Sequence, residues 1–473
     1  MKKDQSSQST NTGKDRGVNR RRFLSGVAIG AGLAPLATLS NSLWARRGAS
    51  AASALCVGAA SLAPTDLAYL GKVLLPEDDP ASGTRFGYSM GALAGRRVGG
   101  ELRLFITGAS GQASGGDYRK IGDAVYEVRP GAIGARATLV RNWGDVTQGR
   151  TLRRDMNQGY EIRGLQYLNG QLYWAYGSQY FSGSDPDPSI GMSTLNDSTG
   201  AVQAYGPWRT TEHSQKTRGY LVPVPPDFTP AGGRLLAVGA PPTSGNNYGP
   251  RGANLFALDP ITTSKSADSA SNTNASLSGK RLIYHDSAHP QARDGNYSIC
   301  GWNVNYDNSK GGYLTPGSPD FNNSDYQRSN ESRALDALSA AAWVRTSSRE
   351  GIVFFGQLYY GHMWYGPGGF TPCVHGKVAS ISTGTGPQAE TAVPVICIYS
   401  PSAVAAQSNP WDAPASALVP LSTIVPSFTS VAVPYQFGGA WFDSTDNRLY
   451  LSDVAGENLG EPRTVIHVFS VKA

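Results

Sequence analysis

The feature that most restricts this chain is a phrase repeated five times. A run of small residues leads into a tight turn, and a strand of the type Arg/Gln–Leu–aromatic–apolar follows, ending near Gly or Ser. These strands fall at 101–108, 171–177, 234–239, 351–356 and 448–452. The turns ahead of four of them are Gly99-Gly100, Asn169-Gly170, Gly232-Gly233 and Asp446-Asn447. Such dipeptides accept the positive φ that a two-residue hairpin loop demands. A third strand is expected in each unit, at 124–129, 189–195, 253–258, 376–381 and 464–471. A fourth is expected in the first four units, at 135–142, 201–208, 280–285 and 393–399. A single unit of this size cannot cover its own two apolar faces, so like units must stack.

The fifth unit reaches Ala473 without a fourth strand, while residues 67–75 have strand character and no unit of their own. Placing that segment as the outer strand of the last unit hides the exposed edges and closes a ring. The expectation is therefore all-β: a five-bladed β-propeller over residues 66–473, closed by an N-terminal strand in the last blade. The 57 glycines, 30 prolines and 16% charged residues agree with an all-β chain broken by turns. The best helical stretch is the Ala-rich 334–342. A six- or seven-bladed ring with short blades, or a sandwich, is the competing reading.

Two insertions interrupt the units. Residues 262–279 are small and polar and are expected to be mobile. Residues 290–333 keep Tyr297, Trp302, Tyr306, Tyr313, Phe321 and Tyr326, and a long loop that retains aromatics is expected to be packed and functional.

Before the first unit, the chain reads Asn19-Arg20-Arg21-Arg22-Phe23-Leu24-Ser25, then a mild apolar run diluted by Gly26, Gly30, Gly32 and Pro35. This resembles a twin-arginine signal peptide, which implies export of a folded domain to the periplasm or the exterior. Residues 1–51 are read as signal and leader and 52–65 as a linker. The apolar run is too dilute for a lasting membrane span. The leader also explains the charge. The chain carries +6, but residues 1–47 hold nine Lys/Arg against two Asp, so the remainder is close to neutral. A basic footprint for nucleic acid is thereby excluded.

Cys56, Cys300, Cys373 and Cys397 match no metal knuckle or redox pair. Outside the cell, a disulfide joining Cys373 to Cys397 or to Cys300 is expected. His362 and His375, near Cys373, read as loop histidines rather than a metal site. No phosphate loop, nucleophile elbow or dinucleotide fingerprint is present, and no cofactor is expected.

In a propeller, the residues just ahead of each innermost strand converge on the mouth of the central channel. Here they are Arg85 and Tyr88, Glu161 and Arg163, Arg218 and Tyr220, Arg333 and Asp336, and Tyr435 and Gln436. Arginine forks bind carboxylate, sulfate or phosphate in pairs of hydrogen bonds, and tyrosine faces stack on sugar rings. This pattern points to a carbohydrate or another polar ligand, anionic ones included. The bland reading is that the arginines pair locally and line a solvated channel. The chain also resembles five-bladed propeller glycosidases, in architecture only. That resemblance implies an acidic trio in the funnel, of which Glu161 and Asp336 supply two, and a polysaccharide hydrolase or lyase is the alternative function. Blade one offers Arg85 and Tyr88 where the family places an Asp. A cell-envelope scaffold, recognised by an apolar rim patch, is the third possibility.

Overall fold

The computed structural model describes residues 59–79, 84–87, 89–108, 124–151, 160–178, 188–241, 250, 252–261, 276–285, 306–307, 312–313, 337–365, 387–426, 437–458 and 462–473. The twin-arginine-like segment lies outside them. Among the described residues no helix is long and apolar enough to cross a membrane.

The strands assemble into five antiparallel blades. Blade one is Leu93–Val98, Glu101–Thr107, Ala124–Arg129 and Thr138–Asp145, and blade two is Tyr160–Leu168, Gln171–Ser178, Ile190–Leu195 and Val202–Thr210. Blade three is Leu221–Pro223, Leu236–Val238, Leu255–Leu258 and Gly279–Ile283. Blade four is Ala337–Arg345, Arg349–Tyr365, Pro387–Tyr399 and Ala415–Pro420. Blade five takes Phe437–Asp443, Arg448–Asn458 and Pro462–Val471 from the end of the chain, and its outer strand, Leu67–Leu74, from the beginning. That last pairing runs antiparallel from Leu67 opposite Val471 to Leu74 opposite Val465, as the closing-strand expectation requires.

The hydrophobic core shows directly that the blades form a ring. It divides into five clusters, one in each gap between neighbouring blades, including the gap between blades five and one. Adjacent residues of one strand serve opposite gaps. Phe354 packs towards blade three and Phe355 towards blade five, both wholly buried. Leu104 and Ile106 face blade five while Phe105 faces blade two. Two buried faces explain why the middle strands are apolar without a break.

The first strands line the axis and approach one another closely. Their Cα atoms lie within 8 Å of those of the next blade all the way round, and the first strands of blades two and five also meet across the ring. At the closest approaches there is no room for a side chain. A Cβ added to Gly164 would run into the carbonyl of Gly219, and one added to Gly438 would strike the backbone of Met90 and Gly91. The Ala-rich 337–342 is a strand and not a helix: Ala340 and Ala342 are buried towards blade five and Leu338 and Ala341 towards blade three, and this packing on both faces overrides helix propensity. The hairpin turns take the expected conformation, with positive φ at Gly99, Gly100, Asn169 and Gly170.

One further expectation is corrected, and two segments outside the expected strands gain short pairings. In blade four, Pro387–Tyr399 is the third strand and Ala415–Pro420 the fourth, so the segment read as fourth moves in by one place. The segment read as third, 376–381, lies outside the described residues. Within the polar insertion, Ser276–Leu277 pairs in parallel with Arg209–Thr210, because Leu277 is apolar enough to bury completely between blades two and three. Within the supposed linker, Ala60–Ser61 pairs with Arg349–Glu350, and Leu62 is buried against Gly351.

Candidate functional site

The two ends of the ring are built differently. At one end, tight turns join first to second strands, at 99–100, 169–170 and 444–447. At the other end the first strands begin and the second strands finish. Connections running through 109–123, 179–187 and 366–386 leave and return there. Long connections held by a rigid scaffold are where propellers carry function. Every described residue of the sequence-derived site sits at this end.

Glu161, Arg163 and Arg218 are brought together where blade two meets blade three. Glu161 stands opposite Gly177 in the ladder. The register then jumps between Ile162 and Gly164, which leaves Arg163 as an unpaired bulge residue. A bulge re-aims its side chain, and here Arg163 turns back along its own strand, its Nη2 donating to Glu161 Oε2 at 3.0 Å. Gly177 leaves room for the stem of Arg218: a Cβ at 177 would lie 2.8 Å from both Cβ and Cδ of that arginine. All three side chains are buried, with Glu161 7%, Arg163 8% and Arg218 1% exposed.

Arg163 is held differently from the arginines that join the blades. Arg96, between blades one and two, donates to both oxygens of Glu127 at 2.9 Å and to both oxygens of Asp197 at 3.1 and 2.6 Å. Arg345 forks onto Asp227 at 2.6 and 3.0 Å, and Arg97 contacts both Asp443 and Asp446. These arginines stitch blade to blade, each lying on two carboxylates: Arg96 on Glu127 and Asp197, Arg97 on Asp443 and Asp446, Arg345 on Asp227 and Glu350. Arg163 has one carboxylate, held through one nitrogen, and its buried Nε–H meets no acceptor among the described residues. A buried donor without an acceptor costs about 1–3 kcal/mol. The Nε atoms of Arg209, Arg234 and Arg463 are likewise unmatched among the described residues. Arg163 differs from these in lying where a first strand of the ring begins, beside Glu161.

The remaining site residues separate. Arg85 is half-buried beside blade one, its backbone N–H directed at Tyr126 Oη at 3.4 Å. Tyr220 is a packing residue: it is 2% exposed in the core between blades three and four, where its hydroxyl donates to the Asn254 carbonyl at 2.9 Å. Burial pushes its phenol far above the ordinary value, so it stays neutral. Tyr88, Arg333, Asp336, Tyr435 and Gln436 lie outside the described residues, as does most of the 290–333 insertion. Of the latter, Tyr306–Asp307 pairs with Gly312–Tyr313.

Cys397 is a buried thiol in the same core as Tyr220. It contacts Tyr399, whose phenol is raised well above its usual value by burial and then by the thiol beside it. Its expected disulfide partners, Cys300 and Cys373, are outside the described residues. His362 belongs to the long second strand of blade four rather than to a loop. Among the described residues no cluster of His, Cys, Asp and Glu has the makings of a metal site.

One arrangement had no signal in the sequence. In blade five, Tyr69 Oη lies 3.0 Å from His467 Nδ1, and His467 Nε2 lies 3.3 Å from Asp453 Oδ2. Tyr69 comes from the closing strand at the start of the chain, and Asp453 and His467 from the two neighbouring strands near its end. They tie the closing strand to the blade, and both His467 and Asp453 are buried.

No family model matches the chain, and no curated protein matches it. Among solved structures it is similar to a luciferin-regenerating enzyme, at 8% identity over 81% of this chain and 92% of that one, with a TM-score of 0.30. It is also similar to a protein of unknown function from Dyadobacter fermentans, at 10% identity over 86% and 100% of the two chains, with a TM-score of 0.32. A third, the Dos1 propeller, shows 9% identity over 80% and 67%, with a TM-score of 0.22. At these identities and scores the likenesses carry no argument about chemistry.

Proposed function

We propose that the propeller binds an anionic ligand, in the first place an acidic carbohydrate, at the end of the ring where Glu161, Arg163 and Arg218 meet. The observation behind this reading is the Arg163 guanidinium, nine-tenths buried, with one monodentate carboxylate and an unpaired Nε–H. A carboxylate, sulfate or phosphate oxygen is the acceptor that group lacks, and a second buried arginine within the same gap adds attraction for negative charge. We propose further that the domain works outside the cytoplasm, exported on its twin-arginine-like leader. A binding role accounts for these residues without any catalytic step.

The test is a thermal-shift and calorimetric comparison of acidic and neutral oligosaccharides, at low and high salt, on wild type and Arg163→Met. A ligand at 100 times its Kd adds about 2.7 kcal/mol of stability. A salt-sensitive shift with acidic sugars, lost in Arg163→Met, is expected. Equal shifts with neutral and acidic sugars, or an undiminished shift in the variant, would refute the reading.

A further inference from the structure

We infer that Glu161 is the internal competitor of this site: its carboxylate holds the Arg163 fork until an incoming oxyanion takes it over. This rests on the binding role proposed above and assigns Glu161 a part that the hydrolase alternative does not. Three observations carry it.

The first is local. Glu161 lies two residues before Arg163 on the same strand, and the bulge at 163 lets the guanidinium fold back onto it. The contact therefore links no two blades, whereas Arg96, Arg97 and Arg345 each bridge neighbouring blades. A pair that stitches nothing together gives the ring little stability of its own.

The second is geometric. Glu161 uses one oxygen on one nitrogen of the fork, and Arg163 Nε is left over. A carboxylate or sulfate approaching edge-on makes two parallel hydrogen bonds to a guanidinium. Such a group gains over the resident carboxylate by one bond, while a neutral hydroxyl offers a single, uncharged acceptor and gains nothing.

The third is charge. Glu161 and Arg163 are both buried, so screening by salt and water is reduced. An anion bound at Arg163 within one side chain's length of Glu161 feels its repulsion. The net effect is a threshold. Weakly accepting or neutral ligands fail to displace Glu161, and bidentate oxyanions succeed, so Glu161 sets selectivity for charge.

The decisive experiment measures the affinity of wild type, Glu161→Gln and Arg163→Met for tetragalacturonate, for inorganic sulfate and for neutral maltotetraose. Removing one like charge at this range and burial should tighten binding of the anions about tenfold or more, with the neutral sugar unchanged. Arg163→Met should lose both anions. Tetragalacturonate and sulfate tightening together identifies the oxyanion as what is read. Tightening of the sugar alone assigns the site to uronic acids. Both support the inference. If wild type binds, Arg163→Met does not, and Glu161→Gln binds equally or more weakly, Glu161 is an orienting partner and the inference fails while the site stands. If no anion binds wild type, or Arg163→Met binds as well as wild type, the site and the inference fall together. Glu161→Ala, run in parallel with a melting curve for each variant, separates an effect on binding from loss of the fold.

Discussion

Replacing Arg96 by Met tests how the blades are joined. Arg96 is 6% exposed, at the far end of the ring from the candidate site, and lies on Glu127 of its own blade and Asp197 of the next. Its guanidinium carbon is also 5.1, 5.2 and 5.9 Å from the ring centres of Phe105, Tyr167 and Trp143. Methionine keeps the stem in that aromatic box but leaves Glu127, 1% exposed, with Trp143 Nε1–H at 3.0 Å as its nearest remaining donor. The Arg103 guanidinium, 3.8 Å from Glu127, is the cation left beside it, so losing Arg96 costs up to about 3–5 kcal/mol, the range for breaking a buried ion pair. Removing the carboxylate instead, as Glu127→Met, leaves Arg96 its half-exposed partner Asp197 and should cost about 1–3 kcal/mol. The double variant exchanges the ion pair for two apolar side chains of similar size. It should be more stable than Arg96→Met alone, because such exchanges run from neutral to stabilising. The assay is urea unfolding followed by tryptophan fluorescence, supported by melting. An unfolding entropy of roughly 2 cal/mol/K per residue makes each kcal/mol worth about 1 °C in a domain of this size. The single arginine variant should thus melt up to about 3–5 °C lower. A double variant whose loss equals the sum of the two single losses would refute the coupling, and a loss under about 1 kcal/mol for Arg96→Met would refute the stranded charge.

Two further predictions test the site and the ring closure. Gly177→Val should force Arg218 out of its place, since a Cβ there falls 2.8 Å from an arginine that is 1% exposed. Overpacking of this kind costs about 1–3 kcal/mol, and affinity for acidic sugars should drop with it; unchanged affinity would remove Arg218 from the site. Asp66, just ahead of the closing strand, accepts from the Ala63 N–H and from Arg349 Nε, each at 2.9 Å. Burial pushes its carboxyl up, but that backbone donor and the Arg349 guanidinium outweigh it and hold it below the ordinary 3.8. A lowered folded pKa means that stability is fully present above the unfolded value and drains as pH falls through the folded one. Stability measured from pH 5 downwards should therefore fall less steeply in Asp66→Asn than in wild type; parallel acid limbs would contradict the assignment.

The blade repeat was legible because its signals are local. Asn169-Gly170 and Gly99-Gly100 demand positive φ at adjacent positions, and the strands after them are apolar on both faces. Blade four was misread for a physical reason. Its fourth strand, Ala415–Pro420, is an outer strand, half-exposed and built from Ala, Ser, Leu, Val and Pro, with no aromatic to mark it. Its third strand contains Pro394, a residue that argues against a central strand. The closing strand was inferred from arithmetic, since a ring of four-stranded blades lacking one strand must find it elsewhere, and residues 67–75 had no other partner.

The candidate site was legible in composition but not in geometry. Arg218 and Tyr220 are two apart, and strict alternation would send both to one gap. Instead Arg218 packs over Gly177 of blade two, while Tyr220 enters the core towards blade four. The strand begins only at Leu221, so the period-two rule does not reach either residue. Likewise nothing in the sequence marks Arg163 as a bulge. That single register jump separates an arginine that would enter the ladder from one that folds back on Glu161 and keeps a donor unspent. Charge patterning can nominate the residues of such a mouth. Which of them keeps an unsatisfied group depends on backbone irregularities that leave no periodic trace, and here that irregularity is the jump between Ile162 and Gly164.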